Sequence, residues 1–412
     1  MNLEIDRKRL CAEIDDLAAI SDGEPPAVTR IVFTPTDLRA RAWLKARCEE
    51  AGLSVRQDAI GNIFARWSGP EVSGPAVGTG SHIDAIPNAG KYDGVVGVLG
   101  GLEAIRALQR SRFRPKHPIE LLMFTSEEPT RFGIGCLGSR LLSGSLSPDA
   151  ARKLADRDGA PLEEVRRTAG VQGELEELKM PSGYYKAFVE LHIEQGPLLE
   201  RQQVPLGIVS NIAAPASLRI SIEGAGGHAG AVLMPDRRDA LCAAAELILS
   251  IENEAQASGA VDTVATVGMC DVFPGAINSI PSQVRLSVDV RDTNLGRRDE
   301  VIQAIDTACH TLAAKRQVSI RRELLNADAP ADCAPAVIDA LAESCARQGL
   351  RYMQMVSRAY HDSLFMSRVA PVAMLFIPCR NGYSHRPDEY ASPEDIERGV
   401  KVLAETLARL AT

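Results

Sequence analysis

Apolar residues recur along this chain at two spacings, and the changes of spacing mark out its elements. Leu3 to Ile20 and Asp37 to Glu50 carry them three and four apart and are predicted amphipathic helices. The turn-prone Thr34-Pro35-Thr36 precedes the second helix and Gly52 ends it. Leu53 to Trp67 alternates and reads as one or two strands, broken at Gly61-Asn62. Pro75 to Thr79 and Pro118 to Thr125 are short apolar runs that predict buried strands, and Val95 to Gln109 returns to helical spacing. Ser145 to Met180 is charged and helix-like, which predicts a surface excursion. Phe188 to Pro197 then repeats the pattern of an apolar strand running into a polar loop.

From Ala213 the organisation changes. Ser217 to Ile222, Val261 to Asp271, Gln283 to Asp292 and Val318 to Leu325 read as strands, with helices over Asp236 to Glu254 and Asn294 to Lys315. This β-α-β-β-α-β order predicts a ferredoxin-like insert, a four-stranded antiparallel sheet with two helices on one face, over residues 213–328. Afterwards Pro335 to Gln348 looks helical, Ala373 to Ile377 reads as a buried strand, and Ser392 to Leu410 begins with a cap-like Ser392-Pro393-Glu394-Asp395. The predicted fold is α/β with two domains, residues 1–212 with 329–412 and the insert.

Length and composition fit this picture. A chain of 412 residues exceeds the usual single core. Its 45% apolar and 24% charged residues are those of an ordinary globular protein. A net charge of −8 without a basic cluster argues against nucleic acid or anionic membrane as partner. The nine cysteines are scattered and never spaced C-x-x-C, as suits reduced thiols in the cytoplasm. Cys136, Cys242, Cys309 and Cys379 lie in apolar stretches and are expected in the core. The N-terminus lacks the basic start and apolar run of a signal peptide, and no segment reaches the roughly 18 apolar residues of a membrane span.

The candidate chemistry lies where strands end. Gly78 to Leu102 places His82, Asp84 and Asp93 among glycines between a strand and a helix. In the H-x-D pair, the imidazole of His82 can bind a cation while the carboxylate of Asp84 orients the ring. Asp93 has two oxygens and can bridge two cations. Taken alone, this stretch fits a glycine-rich turn with solvated acids equally well.

Glu127 and Glu128 follow the strand Pro118 to Thr125, where side chains alternate; they are expected to point apart, one toward metal and one toward proton transfer. Of seven histidines, His82, His192 and His385 fall in polar loops beside glycine. His117 follows a basic surface turn and His310 lies mid-helix without neighbours of ligand type, so neither is expected at the site. Imidazole with carboxylate suits Zn²⁺, Mn²⁺ or Co²⁺ and is too nitrogen-rich for Ca²⁺. Two cations about 3.5 to 4 Å apart could be held. His82 and His192 would hold one and Glu128 and His385 the other, with Asp93 between them and Glu127 left as general base. Spacing alone does not establish this, because the ligands come from separate stretches.

The strings GSHID, YDG, SEEPTRFG, ELHIEQGP, GGHAGAVLMP, PGAINSIPS, DVRD and YSHRPDEY occur in the order found in dinuclear metal-dependent amidohydrolases similar to aminoacylase and carboxypeptidase. The chain resembles the branch that hydrolyses allantoate, N-carbamoyl-L-amino acids and ureidoglycolate, and the likeness runs from about Phe33 to Leu410. It implies a zinc-peptidase-like catalytic domain of mixed sheet with a ferredoxin-like lid and dimerisation insert. It implies His82, Asp93, Glu128, His192 and His385 as ligands of two divalent cations, with Mn²⁺ favoured, and Glu127 as base.

The resemblance further implies that His228 completes the partner's site in a homodimer and stabilises the oxyanion. Gln195, Asn278 and Arg291 are implied to contact substrate, Arg291 through its planar fork. Where relatives commonly carry a small glycine-rich string, this chain has Ser357 to Met366, SRAYHDSLFM, which puts Tyr360 and His361 at the substrate. Tyr360 would fill the space of a second ureido arm or a long side chain. The implied substrate is therefore a small ureido carboxylate, with ureidoglycolate ahead of allantoate and N-carbamoyl amino acids.

Overall fold

Four apolar runs become neighbouring parallel strands, in the order Val372–Ile377, Tyr185–Ile193, Ala76–His82 and Ile119–Phe124. Strands buried on both faces carry side chains with no alternation, which is why these runs read as continuous apolar stretches. Antiparallel strands flank them: Gly207–Ile212 beside Val372–Ile377, and Ile63–Trp67 then Ser54–Gln57 beyond Ile119–Phe124. The sheet is therefore mixed. The computed structural model describes residues 3–68, 72 and 74–412, and these divide into two units. One comprises residues 1–210, 332–357 and 361–412; the other comprises residues 211–331 with Arg358–Tyr360.

In the first unit the helix Val95–Arg110 packs unusually close to the sheet. A Cβ on Gly97 would lie 2.4 Å from the carbonyl oxygen of Leu191, so the glycines after Asp93 let the helix approach the strands that bear the candidate ligands. The terminal helix Pro393–Leu410 starts where expected, with the Ser392 side chain accepting from the Asp395 N–H. Residues 145–180 correct the expectation of a surface excursion. Their short helices bury Ala151, Leu162, Val165, Leu175 and Leu178 against Val32, Phe33, Ile60 and Leu141. The charges misled: Arg166 is itself buried, paired with Glu163 and donating to the carbonyls of Ala59 and Gly173.

The second unit is a four-stranded antiparallel sheet, ordered Val264–Phe273, Gln283–Asp292, Ala214–Glu223, Ser319–Ala327. Alternate residues Leu218, Ile220, Ile222, Leu286, Val288 and Val290 pack against the helices Ala240–Ala257 and Leu295–Arg316. The sheet and its two helices follow the ferredoxin-like pattern. A two-residue pairing that alternation could not reveal joins Gly227–His228 to Ser279–Ile280. Cys242 is exposed on its helix rather than in the core, whereas Cys136, Cys309 and Cys379 are buried.

Candidate active site

The parallel strands deliver their chemistry at their carboxyl ends, the general position of sites in α/β sheets. His82 ends Ala76–His82, Glu127 and Glu128 follow Ile119–Phe124, His192 lies one residue before the end of Tyr185–Ile193, and His385 follows Val372–Ile377. Two of the three histidines are thus buried strand residues rather than loop residues. Only His385 sits on a loop, with φ +59° and its side chain 47% exposed.

Asp93 gathers them. Its Oδ1 is 3.6 Å from Nε2 of His82 and 3.2 Å from Nε2 of His192. Its Oδ2 is 3.3 Å from Nε2 of His385, which in turn lies 3.2 Å from Oε1 of Glu128. The five side chains form two potential cation-holding groups, His82-Asp93-His192 and Asp93-Glu128-His385, with one carboxylate common to both. Neighbouring backbone is shaped for this. Gly94 has φ +65°, and a Cβ there would lie 2.5 Å from the His82 ring. His82 and His192 each turn Nδ1 to a main-chain carbonyl, Asp84 at 3.0 Å and Ile193 at 2.9 Å, which aims Nε2 at the site; that of His192 also accepts the Gly94 N–H at 3.1 Å.

The electrostatics follow from confinement. Burial opposes charge on His82, yet Glu127, Asp93 and Asp84 together hold its pKa well above the ordinary value. Burial likewise acts upward on Asp93, and the three histidines outweigh it and bring it well below the carboxylate range. A cation held by either group would compete with protons for the imidazoles, so its binding would depend on pH.

Glu127 belongs to neither group; its Oε2 stands 3.7 Å from Nε2 of His82. Burial, reinforced by Glu128, Asp362 and Asp93 against His82, raises its pKa well above the usual value. The neighbouring acids do point apart, Glu127 toward His82 and Glu128 toward His385.

Asp84 corrects the reading of the H-x-D pair. Its carboxylate is 3.8 Å from Nδ1 of His82, and the main-chain carbonyl orients the ring instead. The carboxylate accepts the N–H groups of Glu127, at 3.3 Å, and Glu128, at 3.0 Å, and so fixes the loop that carries both acids. Gln195, expected at the substrate, donates from Nε2 to Oδ2 of Asp93 at 2.7 Å and so steadies the carboxylate common to both groups. His361 is 2% exposed and packs edge-on against His192, with ring centroids 4.5 Å apart. That places it behind His192 rather than in the open. A third potential group, Glu190-His192-His361, is already satisfied by protein: Glu190 accepts from Ser81 Oγ and from both the N–H and Oγ of Ser363.

Two further residues of YSHRPDEY stand beside Asp93. Ser384 Oγ lies 2.7 Å from Oδ2 of Asp93, and Glu389 is a buried acid beside it. Cys136 is buried as expected, and its Sγ lies 3.5 Å from Oε1 of Glu127. Burial of these polar atoms is their signal, and the sequence does not display it.

In the second unit His228 is exposed, and its Nδ1 accepts the Gly230 N–H at 3.1 Å, so the proton of the neutral ring is on Nε2. The Ala229 N–H donates to the carbonyl of Asn278 at 2.8 Å, which ties these two candidates into one loop pair. The guanidinium of Arg291 lies over the Tyr360 ring, 5.5 Å from its centroid, and its Nε donates to Oδ1 of Asp289 at 2.6 Å.

Cations to activate water and a separate carboxylate to take its proton are the equipment of a metal-dependent hydrolase. The chain belongs to Peptidase family M20/M25/M40, whose model matches residues 78–409. It is 52% identical to a ureidoglycolate hydrolase of Arabidopsis thaliana, over 99% of this chain and 87% of that one. It is 38% identical to an N-carbamoyl-L-amino acid amidohydrolase of Geobacillus stearothermophilus, over 99% of each. Crystal structures of AtUAH with glyoxylate and with (S)-hydroxyglycine match with a TM-score of 0.92 at 51% identity, over 99% of this chain and 98% of theirs. Among the described residues no helix is long and apolar enough to cross a membrane.

Proposed function

We propose that this protein hydrolyses (S)-ureidoglycolate to glyoxylate, two ammonia and CO₂, with two divalent cations held by His82, Asp93, Glu128, His192 and His385. The observation that carries the metal reading is Asp93, whose two oxygens face separate ligand groups. The substrate reading rests on identity above 50% to ureidoglycolate hydrolases and on the ligands of AtUAH. Removing the carbamoyl group of ureidoglycolate leaves hydroxyglycine, and loss of ammonia from hydroxyglycine leaves glyoxylate.

Held by these five residues, two divalent cations would supply Lewis-acid chemistry, lowering the pKa of water and polarising the scissile carbonyl. Mn²⁺ is preferred over Zn²⁺ or Co²⁺ on resemblance, since imidazole and carboxylate accept all three. Glu127 takes the proton of the attacking water through Oε2 and hands it to the departing nitrogen. Asp84 fixes the Glu127-Glu128 loop, and Gln195 steadies Asp93. Arg291, with Asn278, binds the substrate carboxylate, and His228 of a second copy donates from Nε2 to the oxyanion. A reducing cytoplasmic location fits nine cysteines that are all unpaired.

Reconstituted with Mn²⁺, the protein is expected to release ammonia faster from (S)-ureidoglycolate than from allantoate or N-carbamoyl-L-amino acids. Equal or faster release from the N-carbamoyl amino acids overturns the substrate while leaving the family intact. All five ligand positions and the base are filled, which disfavours a binding protein that has lost its chemistry. Tyr360 carries the discrimination: Tyr360→Ala is expected to lower kcat/KM on ureidoglycolate by about 10-fold or more and to raise the relative rate on the bulkier substrates. An unchanged ratio of kcat/KM values across the three substrates removes Tyr360 from specificity.

A further inference from the structure

We propose that Glu389 is a positioning residue that fastens the shared ligand Asp93 to the loop bearing His385; the inference rests on the ligand set proposed above. Glu389 is 5% exposed and uses both oxygens. Oε1 accepts the N–H groups of Tyr92, at 2.8 Å, and of Asp93, at 3.1 Å, which fixes the backbone from which Asp93 projects. Oε2 lies 2.9 Å from Oγ of Ser384, and the same hydroxyl lies 2.7 Å from Oδ2 of Asp93. One side chain thus holds the main chain at residues 92 and 93, and the single Ser384 hydroxyl proton, which lies between Oε2 of Glu389 and Oδ2 of Asp93, is shared by the two carboxylates.

A Cβ on Gly90 would lie 2.3 Å from Cβ of Glu389, so the chain before Asp93 is closed directly over it. His385 is the ligand most in need of such support. It is the least buried of the five, and its φ of +59° is a conformation that a residue with a side chain keeps only where its surroundings impose it. Ser384 and Glu389 bracket it and anchor both sides of the loop to residues 92–93. Outer partners of this kind commonly change metal affinity by about 10- to 100-fold without touching the ion.

The test is Mn²⁺ titration of the full-length chain after chelator treatment, read as stoichiometry and affinity, with the thermal midpoint of the metal-free protein measured in parallel. Glu389→Ala is expected to weaken Mn²⁺ binding at least about tenfold. Glu389→Gln is expected to stay within about threefold of the parent, because its amide oxygen accepts both N–H groups and its amide nitrogen reaches Ser384 Oγ. A residue of merely structural weight would lower the thermal midpoint and leave affinity unchanged.

Parental affinity in Glu389→Ala, or equal losses in the Ala and Gln variants, overturns the proposal. If Glu389→Ala does not fold, Ser384→Ala replaces it with the same expected direction, and parental affinity there also overturns it. A parent chain that binds no Mn²⁺, Zn²⁺ or Co²⁺ would instead defeat the ligand set itself.

Discussion

Glu127→Gln is expected to lower kcat by about 10²- to 10⁴-fold, the usual contribution of a general base, with metal content and KM close to the parent's. The size of the effect follows from how tightly the carboxylate is held. Its main chain is clamped where the Cys136 N–H donates to the Glu127 carbonyl at 2.8 Å, followed by Leu137 to Ser126 and Gly138 to Thr125 at 2.9 Å each. The Cys136 thiol approaches Oε1, so Oε2, which faces His82, is the oxygen left to accept a proton. Glutamine keeps the shape and the neutral hydrogen bonds but has no basic oxygen. Steady-state kinetics with metal analysis on the same sample decides the matter. Unchanged turnover would remove Glu127 from proton transfer, and loss of metal would make it a ligand.

Much of this site could be read from the sequence because a parallel sheet writes a simple pattern, an apolar run followed by polar residues at its carboxyl end. His82, Glu127, Glu128 and His192 each fall within such a run or just after one. Periodicity shows which end of a strand a residue occupies and nothing about the partner of each oxygen. Hence the pairing of Asp84 with the Glu127-Glu128 main chain, rather than with His82, emerged only from the structure.

The same limit hid Glu389, whose partners Tyr92 and Asp93 lie about three hundred residues away. It also hid the core formed by residues 145–180, where Arg166 is buried because several acceptors meet it. The short pairing of His228 escaped for a different reason: two residues per strand are too few to alternate.

His228→Ala is expected to reduce kcat by about 10²- to 10³-fold, the loss of one oxyanion donor, equivalent to about 2.7 to 4 kcal/mol. The ring suits that role, since the Gly230 N–H occupies Nδ1 of this exposed residue and leaves Nε2 as the donor of the neutral ring. If each site draws this donor from the other copy of a homodimer, complementation separates the role from simple damage. Mixed with Glu127→Gln protein under conditions that exchange subunits, His228→Ala protein should recover activity. A hybrid has one site with an intact Glu127 from one chain and an intact His228 from the other. Random exchange at equal amounts then yields about a quarter of parental activity from two nearly inactive proteins. Gel filtration should place the active species at twice the chain mass. Absence of recovery despite demonstrated exchange would put His228 in its own chain's site or in none.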